Sequence, residues 1–552
     1  MIMTPRKREK TGHNFIVQGG ILAIAGIITR IIGLFYRIPV TNIIGDEGNG
    51  YYAAAYQIYN IMLLISSYSL PLAISKIVSA RYSKQEYRNS NRVFHGGLIF
   101  AFISGGIVCL LVYFGADFFA GRLMSEPMSA IALRIFAPTL LIVAVMGVVR
   151  GYFQGMGTMV PTAVSQIIEQ IVNAIVSILA AKALVVYGRK VAALLKNEHY
   201  EPAYGAAGST LGTSSGALAG LIFLIIILIL VNATIRRNMR NEELHRDESM
   251  RDVMRLILIT AIPVILSTAI YNVSDVLDNG IYNNIMTLKG RGVEKTAIWG
   301  IYSGKYRLMM NVPIALANAM CSSVVPTLTA CMAADNVRVA KRKIFSAMRF
   351  TMLIAFPCTV GLGVLAEPIL SMLFRGDVTM GAQMMRVGCV TIIFTSISTL
   401  SNGVLQGINH LETPVRHSAI SLVLHLIALY VMLDKFNMGI YGVIFANLFF
   451  VVLMCIMNQF SIKRYLHYKQ EIPRTFVIPA ISSIIMGVVV MAVYKLFSAF
   501  LGSVIATFVS IIFGSIVYFT SILKLRGIRK EELYEIPGGG VLVSVARMLR
   551  IL

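Results

Sequence analysis

Charged residues are scarce in this chain, and acidic residues are the scarcer kind. Asp, Glu, Lys and Arg make up 14% of the 552 residues, whereas a soluble domain has about 25%. Apolar residues make up 57%, and the mean hydropathy is +0.74. These values exclude the ordinary soluble classes and predict an all-α polytopic membrane protein.

Residues that would hold a metal or form a catalytic site are also sparse. The six cysteines form no C-x-x-C pair, which argues against a zinc site and a disulfide framework. The eight histidines are scattered, and no HExxH motif, nucleophile elbow or P-loop is present. We therefore expect no catalytic residue, no bound metal, no cofactor and no ATP hydrolysis by this chain.

Basic residues outnumber acidic ones and give a formal net charge of +23. In a soluble protein this excess would suggest nucleic acid as a partner. Here the basic residues fall mostly in short segments between apolar runs. The pattern indicates membrane topology and contact with anionic lipid headgroups, and we expect no nucleic-acid partner.

Apolar runs of about 20 or more residues predict about fourteen transmembrane helices. In chain order these predicted spans are 14–44, 51–80, 93–115, 128–153, 161–187, 206–233, 256–286, 298–330, 345–368, 379–406, 414–433, 439–462, 476–496 and 501–523. With the N-terminus inside, 31 of the 49 lysines and arginines fall on the cytoplasmic side and 10 in external loops. This asymmetry predicts that both termini are cytoplasmic.

The predicted spans also indicate an internal duplication. Pro161 and Pro414 open equivalent spans 253 residues apart, and Pro71 and Pro326 lie 255 residues apart within another equivalent pair. Such repeats are typical of transporters, with the substrate site at the repeat interface. The predicted organisation is a cytoplasmic N-terminus at 1–13, an N-lobe of six helices at 14–235, a basic linker at 236–255, a C-lobe of six helices at 256–462, helices 13 and 14 at 476–523, and a cytoplasmic tail at 524–552.

Several arginines and lysines lie inside the predicted spans. Arg30 and Arg37 are seven residues apart in the first span, so they share one helix face about 10 Å apart. An arginine at bilayer depth costs at least about 2.5 kcal/mol unless it meets water, a partner or an anion. Arg307 lies at a depth similar to that of Arg37, and Lys76 lies in the inner half. We interpret Arg30, Arg37, Arg307 and Lys76 as candidate ligands for a pyrophosphate in a hydrated chamber between the lobes.

Acidic residues inside the spans leave two readings open. Asp275 and Asp278 share one face of the seventh span, where they could bind a coupling proton or sodium ion. They could instead balance the charge of Arg307 by forming an ion pair.

Glu169 is expected to form a structural polar link between helices. The loop from Gly45 to Gly50 resembles a metal or phosphate loop, but a tight turn with flexible glycines is the preferred interpretation.

Two stretches carry a family resemblance. The first runs from Thr29-Arg30 to Pro39 and continues through Thr41-Asn42-Ile43-Ile44-Gly45-Asp46-Glu47-Gly48. The second is Arg150-Gly151-Tyr152-Phe153-Gln154-Gly155, followed by Pro161-Thr162-Ala163 and Ser165-Gln166-Ile167-Ile168-Glu169-Gln170. The chain resembles the stage V sporulation protein B group of polysaccharide-biosynthesis transporters. This group is similar to the MurJ-type lipid II flippases, within the superfamily that includes MATE exporters.

The resemblance implies two six-helix lobes around a central cavity, with helices 13 and 14 forming a groove for a long prenyl tail. It implies that Arg30, Arg37 and Arg307 bind the pyrophosphate, with Lys76 standing in for an arginine of the second helix. Asp275 or Asp278 would match the acidic residue that is linked to sodium. Coupling would use sodium ions, protons or the membrane potential.

The implied function is that of a flippase, not an enzyme. Its substrate would be an undecaprenyl-pyrophosphate-linked glycan, with lipid II as the first candidate. The headgroup would be carried by alternating access for peptidoglycan, cell-wall or spore-cortex synthesis. The alternatives are a cation-coupled MATE-like exporter of drugs or metabolites and a flippase for another polysaccharide precursor. We expect a monomer in the bacterial cytoplasmic membrane that contacts membrane lipids and cell-wall synthesis proteins.

Overall fold

The structure, a computed structural model, describes residues 5–242, 248–292, 294–525 and 527, without the side chains of 5–20, 23, 68 and 262–272. The first four residues of the predicted N-terminal segment, part of the basic linker and most of the predicted tail at 524–552 lie outside the described residues.

Sixteen α-helices and no β-strand make up the described residues. The helices are α1 (Pro5–Leu63), α2 (Leu70–Tyr82), α3 (Tyr87–Asp117), α4 (Ser129–Gly155), α5 (Val160–Leu195), α6 (Tyr200–Arg240), α7 (Met250–Leu288), α8 (Lys295–Ile301), α9 (Arg307–Ala333), α10 (Val337–Val364), α11 (Ala366–Leu373), α12 (Thr379–Gly388), α13 (Thr391–Gly407), α14 (Glu412–Asp434), α15 (Ile440–Leu466) and α16 (Ile478–Lys524). Short π-helical segments cover Leu64–Tyr68, Phe118–Leu123, Tyr302–Tyr306 and Pro473–Val477. The all-helical prediction is confirmed.

Local sequence explains where several helices begin. The Ser249 hydroxyl accepts a hydrogen bond from the Asp252 amide at 3.2 Å, which caps the start of α7. The Asn336 side chain accepts a bond from the Val339 amide in the same way before α10. Proline in the first turn of α5, where its missing N–H costs nothing, favours the start of that helix.

Two of the long helices contain a break at a glycine. Gly45 has φ of 71° within α1, and Gly502 has φ of 76° within α16. Both values lie in the left-handed region that glycine adopts without the steric penalty of a Cβ atom. The breaks separate the predicted spans 14–44 and 51–80, and likewise 476–496 and 501–523. The chain therefore breaks at Gly45, within the predicted turn, but residues 46–50 of that predicted loop are helical.

Among the described residues, ten helices are long and apolar enough to cross a membrane. The number is eleven if α12 and α13, which meet at a bend of 51°, form one span. The two helices with glycine breaks each count once here, although each covers two predicted spans. The predicted total of fourteen crossings stays a prediction.

The described chain forms two compact units that divide between Gly304 and Lys305. In the first unit, α5 packs along α6, α4 packs against α3 and α6, and α1 contacts α5, α6 and α8. Helix α7 contacts α1, α2 and α3 of this unit. In the second unit, α13 packs against α9 and α15, while α10 packs against α16. The predicted lobe boundaries at 14–235 and 256–462 stay a prediction.

Candidate functional site

The break at Gly45 places Arg37 against an aromatic ring. Arg37 precedes the break and Tyr52 follows it, and the guanidinium carbon of Arg37 lies 4.2 Å from the centroid of the Tyr52 ring. Residues 15 positions apart on an uninterrupted helix would be about 22 Å apart. The two parts of α1 must therefore double back on each other, and the glycine turn creates the contact.

The Tyr52 ring belongs to an aromatic wall formed by Tyr52, Tyr56, Tyr59 and Phe136. Tyr52 and Tyr56 stack at a centroid distance of 5.8 Å, and Tyr59 stacks on Phe136 at 4.4 Å. Tyr52 also meets Phe136 edge-on at 6.1 Å. Tyr52, Tyr59 and Phe136 are buried, whereas Tyr56 is exposed. Packing against α4 therefore holds the ring that supports Arg37.

This setting suits Arg37 for binding an oxyanion. A guanidinium can stack on an aromatic face and still donate hydrogen bonds from its edge to a phosphate. Next to Arg37, the Tyr36 hydroxyl accepts a hydrogen bond from the Asn173 amide of α5 at 3.2 Å. Arg37 is itself partly buried.

The other predicted cations of the first unit lie in more open settings. Arg30 and Lys76 are both exposed. Within the described residues, neither side chain makes a hydrogen bond or an ion pair. Both are therefore accessible to lipid headgroups or to a ligand, and the fold alone does not assign either of them to the same site as Arg37.

The predicted acidic pair lies beside a chain of amide groups on α7. Asp278 is 2% exposed, and Asp275 is partly buried. The Asn279 amide donates to Gln57 of α1 at 2.5 Å, and the Asn283 amide donates to Asn279 at 2.7 Å. Sequence analysis did not predict the contact with Gln57, because it joins residues 222 positions apart.

Arg307, the remaining predicted ligand, lies in the second unit. It opens α9 directly after the π-helical segment Tyr302–Tyr306 and is partly buried. Nearby, the Lys305 ammonium is buried and donates to the Asp377 carbonyl at 3.3 Å. The predicted proximity of Arg307 to Arg37 stays a prediction, as does its pairing with Asp275 or Asp278.

Glu169 forms the polar link between helices that its sequence setting suggested. Its carboxylate accepts a hydrogen bond from the Arg150 guanidinium at 2.7 Å, which joins α5 to α4. The same guanidinium donates to the Ser165 hydroxyl at 3.0 Å. The structural interpretation of Glu169 is confirmed, and Arg150 has its charge compensated within the unit.

Sequence analysis did not predict the buried ion pair that Lys295 forms with Glu126 in the first unit. The Lys295 ammonium lies 3.5 Å from the Glu126 carboxylate, and the two side chains are only 6% and 5% exposed. Glu126 also accepts a hydrogen bond from the Thr296 hydroxyl at 2.6 Å. Burial raises the pKa of Glu126, and Lys295 partly offsets the shift. The group joins the loop before α4 to the start of α8.

No group of three or more His, Cys, Asp or Glu side chains suited to hold a metal ion occurs among the described residues.

Comparisons with known proteins place this architecture in a family. The sequence profile described as polysaccharide biosynthesis protein matches residues 17–332. The chain belongs to this family. A second profile, MatE, matches residues 263–431.

Two curated relatives span nearly the whole chain. This chain is 26% identical over 542 residues to the lipid II flippase MurJ of Bacillus subtilis (strain 168). The aligned region covers 94% of this chain and 96% of MurJ. It is 23% identical over 524 residues to stage V sporulation protein B of the same organism, with coverages of 95% and 98%.

Solved structures agree on the fold. A lipid II flippase MurJ in an inward closed conformation matches with a TM-score of 0.66 at 16% identity, covering 91% of this chain and 97% of that one. An inward-facing multidrug resistance MATE family transporter matches with a TM-score of 0.64 at 15% identity, covering 80% and 95%. The chain is a multi-pass membrane transport protein of the flippase or MATE-like kind, not an enzyme.

Proposed function

We propose that this chain is a flippase for an undecaprenyl-pyrophosphate-linked glycan, with lipid II as the leading substrate. The observation that carries the proposal is the Arg37 guanidinium held on the Tyr52 ring at 4.2 Å, inside an apolar helix. MurJ, to which the chain is similar over nearly its full length, is named for lipid II.

The chemistry of Arg37 suits a pyrophosphate better than an organic cation. An arginine fork donates two parallel hydrogen bonds to neighbouring phosphate oxygens, and such charge-assisted bonds are about twice as strong as neutral ones. A cationic drug would instead be repelled by Arg37 and by the exposed Arg30 on the same helix. The wall beside Arg37 adds the exposed ring of Tyr56, a flat apolar surface of the kind against which sugar rings pack.

Transport follows from alternating access. In this proposal the headgroup binds Arg37, with Arg30, Arg307 and Lys76 as further contacts along its route, while the prenyl tail remains in lipid. Asp275 and Asp278 then bind a coupling sodium ion or proton, or balance the arginine charge. Sodium ions, protons and the membrane potential are the candidate driving forces.

Rescue of bacteria depleted of their lipid II flippase tests this function. We expect the wild-type chain to restore growth and Arg37→Ala to fail. Arg37→Lys should rescue poorly, because an ammonium keeps the charge but lacks the planar fork. Arg134→Ala is the matched control, since Arg134 is an exposed membrane-helix arginine paired with Asp117. Full rescue by Arg37→Ala, with expression equal to the control, would contradict the proposal.

The MatE profile match at residues 263–431 supports a second candidate, a cation-coupled exporter of drugs or metabolites. This candidate predicts that overexpression raises resistance to organic cations without affecting wall precursors.

The same rescue experiment also distinguishes among the possible substrates of a flippase. If the chain fails to replace the lipid II flippase but restores capsule or teichoic-type glycan synthesis, the substrate is another prenyl-linked precursor.

A further inference from the structure

A cavity of about 690 Å³ opens in the second unit, far along the chain from Arg37. It lies between α10, α13, the end of α15 and the π-helical segment Pro473–Val477. Helix α15 ends at Leu466, and the following residue, His467, caps it in the left-handed conformation with φ of 47°. The segment after this turn, from Tyr468 to Ile472, therefore forms one wall of the cavity. Its volume falls in the range of about 300–1,000 Å³ that is typical of ligand sites.

The lining is apolar with cationic groups at one side. Ile397, Ile456, Phe460 and Phe476 supply hydrocarbon surface, and Lys463 and Lys469 supply two ammonium groups. Both lysines are exposed, and neither forms an ion pair within the described part of the chain. This combination is complementary to an amphiphile that carries a negative head.

A third polar group supports the same conclusion. The Gln470 side chain lines the cavity, and its carbonyl oxygen accepts a hydrogen bond from the Tyr468 hydroxyl at 3.0 Å. The amide nitrogen of Gln470 is buried and has no hydrogen-bond partner among the described residues. A buried donor without a partner is destabilising, so an acceptor supplied by a ligand would be stabilising.

The neighbouring carboxylate does not cancel this charge. Glu471 does not line the cavity, and it lies 3.7 Å from the Arg474 guanidinium. Lys463 and Lys469 therefore remain the uncompensated charges of the site. Membrane proteins use basic pockets between helices in the same way to hold anionic lipid headgroups.

We propose that this cavity is an accessory site for an anionic phospholipid, separate from the site that binds the transported molecule. The phosphate contacts Lys463, Lys469 and the Gln470 amide, and the first part of an acyl chain lies along Ile456 and Phe460. The occupant is a bilayer lipid such as phosphatidylglycerol, which is retained and not transported.

Fluorescence quenching by brominated lipids tests this site in the full-length protein. Phe460→Trp places a reporter in the cavity, where Phe460 is 70% exposed, whereas the native Trp299 is 2% exposed and buried away from lipid. We expect phosphatidylglycerol with brominated chains to quench this reporter far more strongly than brominated phosphatidylcholine. A reporter at Phe508→Trp, on the exposed face of α16, should show no headgroup preference.

Charge removal supplies the second arm. Each lysine near a phosphate should contribute about a five-fold preference for the anionic lipid over phosphatidylcholine. The double variant Lys463→Gln/Lys469→Gln should therefore weaken phosphatidylglycerol binding at the reporter by about thirty-fold. Lys182→Gln with Lys190→Gln removes the same charge from exposed lysines of α5 and should change nothing. Equal quenching by the two lipids, or a preference that survives in the Lys463 and Lys469 variant, would overturn the proposal.

A final comparison separates this site from the transport site. Arg37→Ala should leave the phosphatidylglycerol preference of the reporter intact. If added prenyl-pyrophosphate lipid displaced brominated phosphatidylglycerol from the reporter at equal concentration, the cavity would be a substrate site and the accessory assignment would be wrong.

Discussion

The Arg37 guanidinium carbon lies 4.2 Å from the centroid of the Tyr52 ring, although 15 positions separate the two residues along the chain. The contact exists because Gly45, midway between them, adopts the left-handed conformation and reverses the helix. A cation–π contact of this kind contributes about 0.5–2 kcal/mol and holds the guanidinium over the ring. Arg37 is thereby positioned before any ligand binds.

Substitutions at Tyr52 test that positioning. Tyr52→Phe keeps the aromatic face and should transport at close to the wild-type rate. Tyr52→Leu removes the face and should weaken substrate binding by about two- to thirty-fold, in line with the energy of a cation–π contact. The measurement is substrate affinity of the purified variants, with Arg37→Ala as reference. Equal affinity in the Leu and Phe variants would show that the ring does not orient Arg37.

The buried pair of Glu126 and Lys295 predicts a loss of stability on truncation. Glu126→Ala would leave the Lys295 ammonium buried beside no carboxylate, at a cost of about 3–5 kcal/mol. Glu126→Gln keeps a hydrogen-bond acceptor for Thr296 and should cost less. Thermal unfolding of the purified protein measures the difference. Unchanged unfolding of Glu126→Ala would mean that the pair is not buried as described.

The same carboxyl group predicts a pH dependence. Burial raises the pKa of Glu126 in the folded protein above its ordinary value in the unfolded chain. Between these two values the folded state holds a proton that the unfolded state has released, so the contribution of Glu126 to stability falls as pH rises. The stability difference between wild type and Glu126→Gln should therefore favour the wild type increasingly toward acid. A difference that is constant with pH above 4.5 would contradict the raised pKa.

Gly300 allows α8 to approach α1 closely. A Cβ atom at this position would lie 1.7 Å from the backbone carbonyl oxygen of Asp46, a distance that requires the helices to separate. Gly300→Ala should lower the unfolding temperature and reduce the yield of folded protein. Gly106→Ala on α3 is the control, because a Cβ there meets nothing within 4 Å. That variant should be neutral or more stable by up to about 1 kcal/mol, owing to the helix propensity of alanine.

The link between Arg150 and Glu169 gives a further stability test. Glu169→Ala leaves the mostly buried Arg150 guanidinium with the Ser165 hydroxyl as its remaining described partner. We expect a clear fall in unfolding temperature, whereas Arg189→Ala should have little effect because its pair with Glu201 is largely exposed. Similar behaviour of the two variants in thermal unfolding would argue against a structural role for Glu169.

Hydropathy and repeat spacing were enough to predict the helical architecture, because a membrane helix needs a long apolar run whatever its neighbours are. The burial cost of isolated charges was enough to select Arg30, Arg37, Arg307 and Lys76 as candidates. The setting of Glu169 suggested its structural role. Both inferences depend on the chemistry of one helix at a time.

The partners of those residues could not be predicted from the sequence. Tyr52 reaches Arg37 only because Gly45 reverses the helix, and Gln57 reaches Asn279 across 222 residues. Lys295 falls between two apolar runs, which is typical of a loop, yet packing of the loop at Glu126 buries it. Contacts between distant segments depend on how the helices pack, and local periodicity does not encode that packing.

Binding of lipid II to the purified protein, measured by native mass spectrometry, tests the central claim most directly. Wild-type protein, Arg37→Ala and Arg134→Ala would be compared with lipid II and with a prenyl lipid that carries no pyrophosphate. We predict that the wild type and Arg134→Ala bind lipid II in preference to the second lipid, and that Arg37→Ala loses this preference. Lipid II binding by Arg37→Ala at the wild-type level would contradict the assignment of Arg37 as a pyrophosphate ligand.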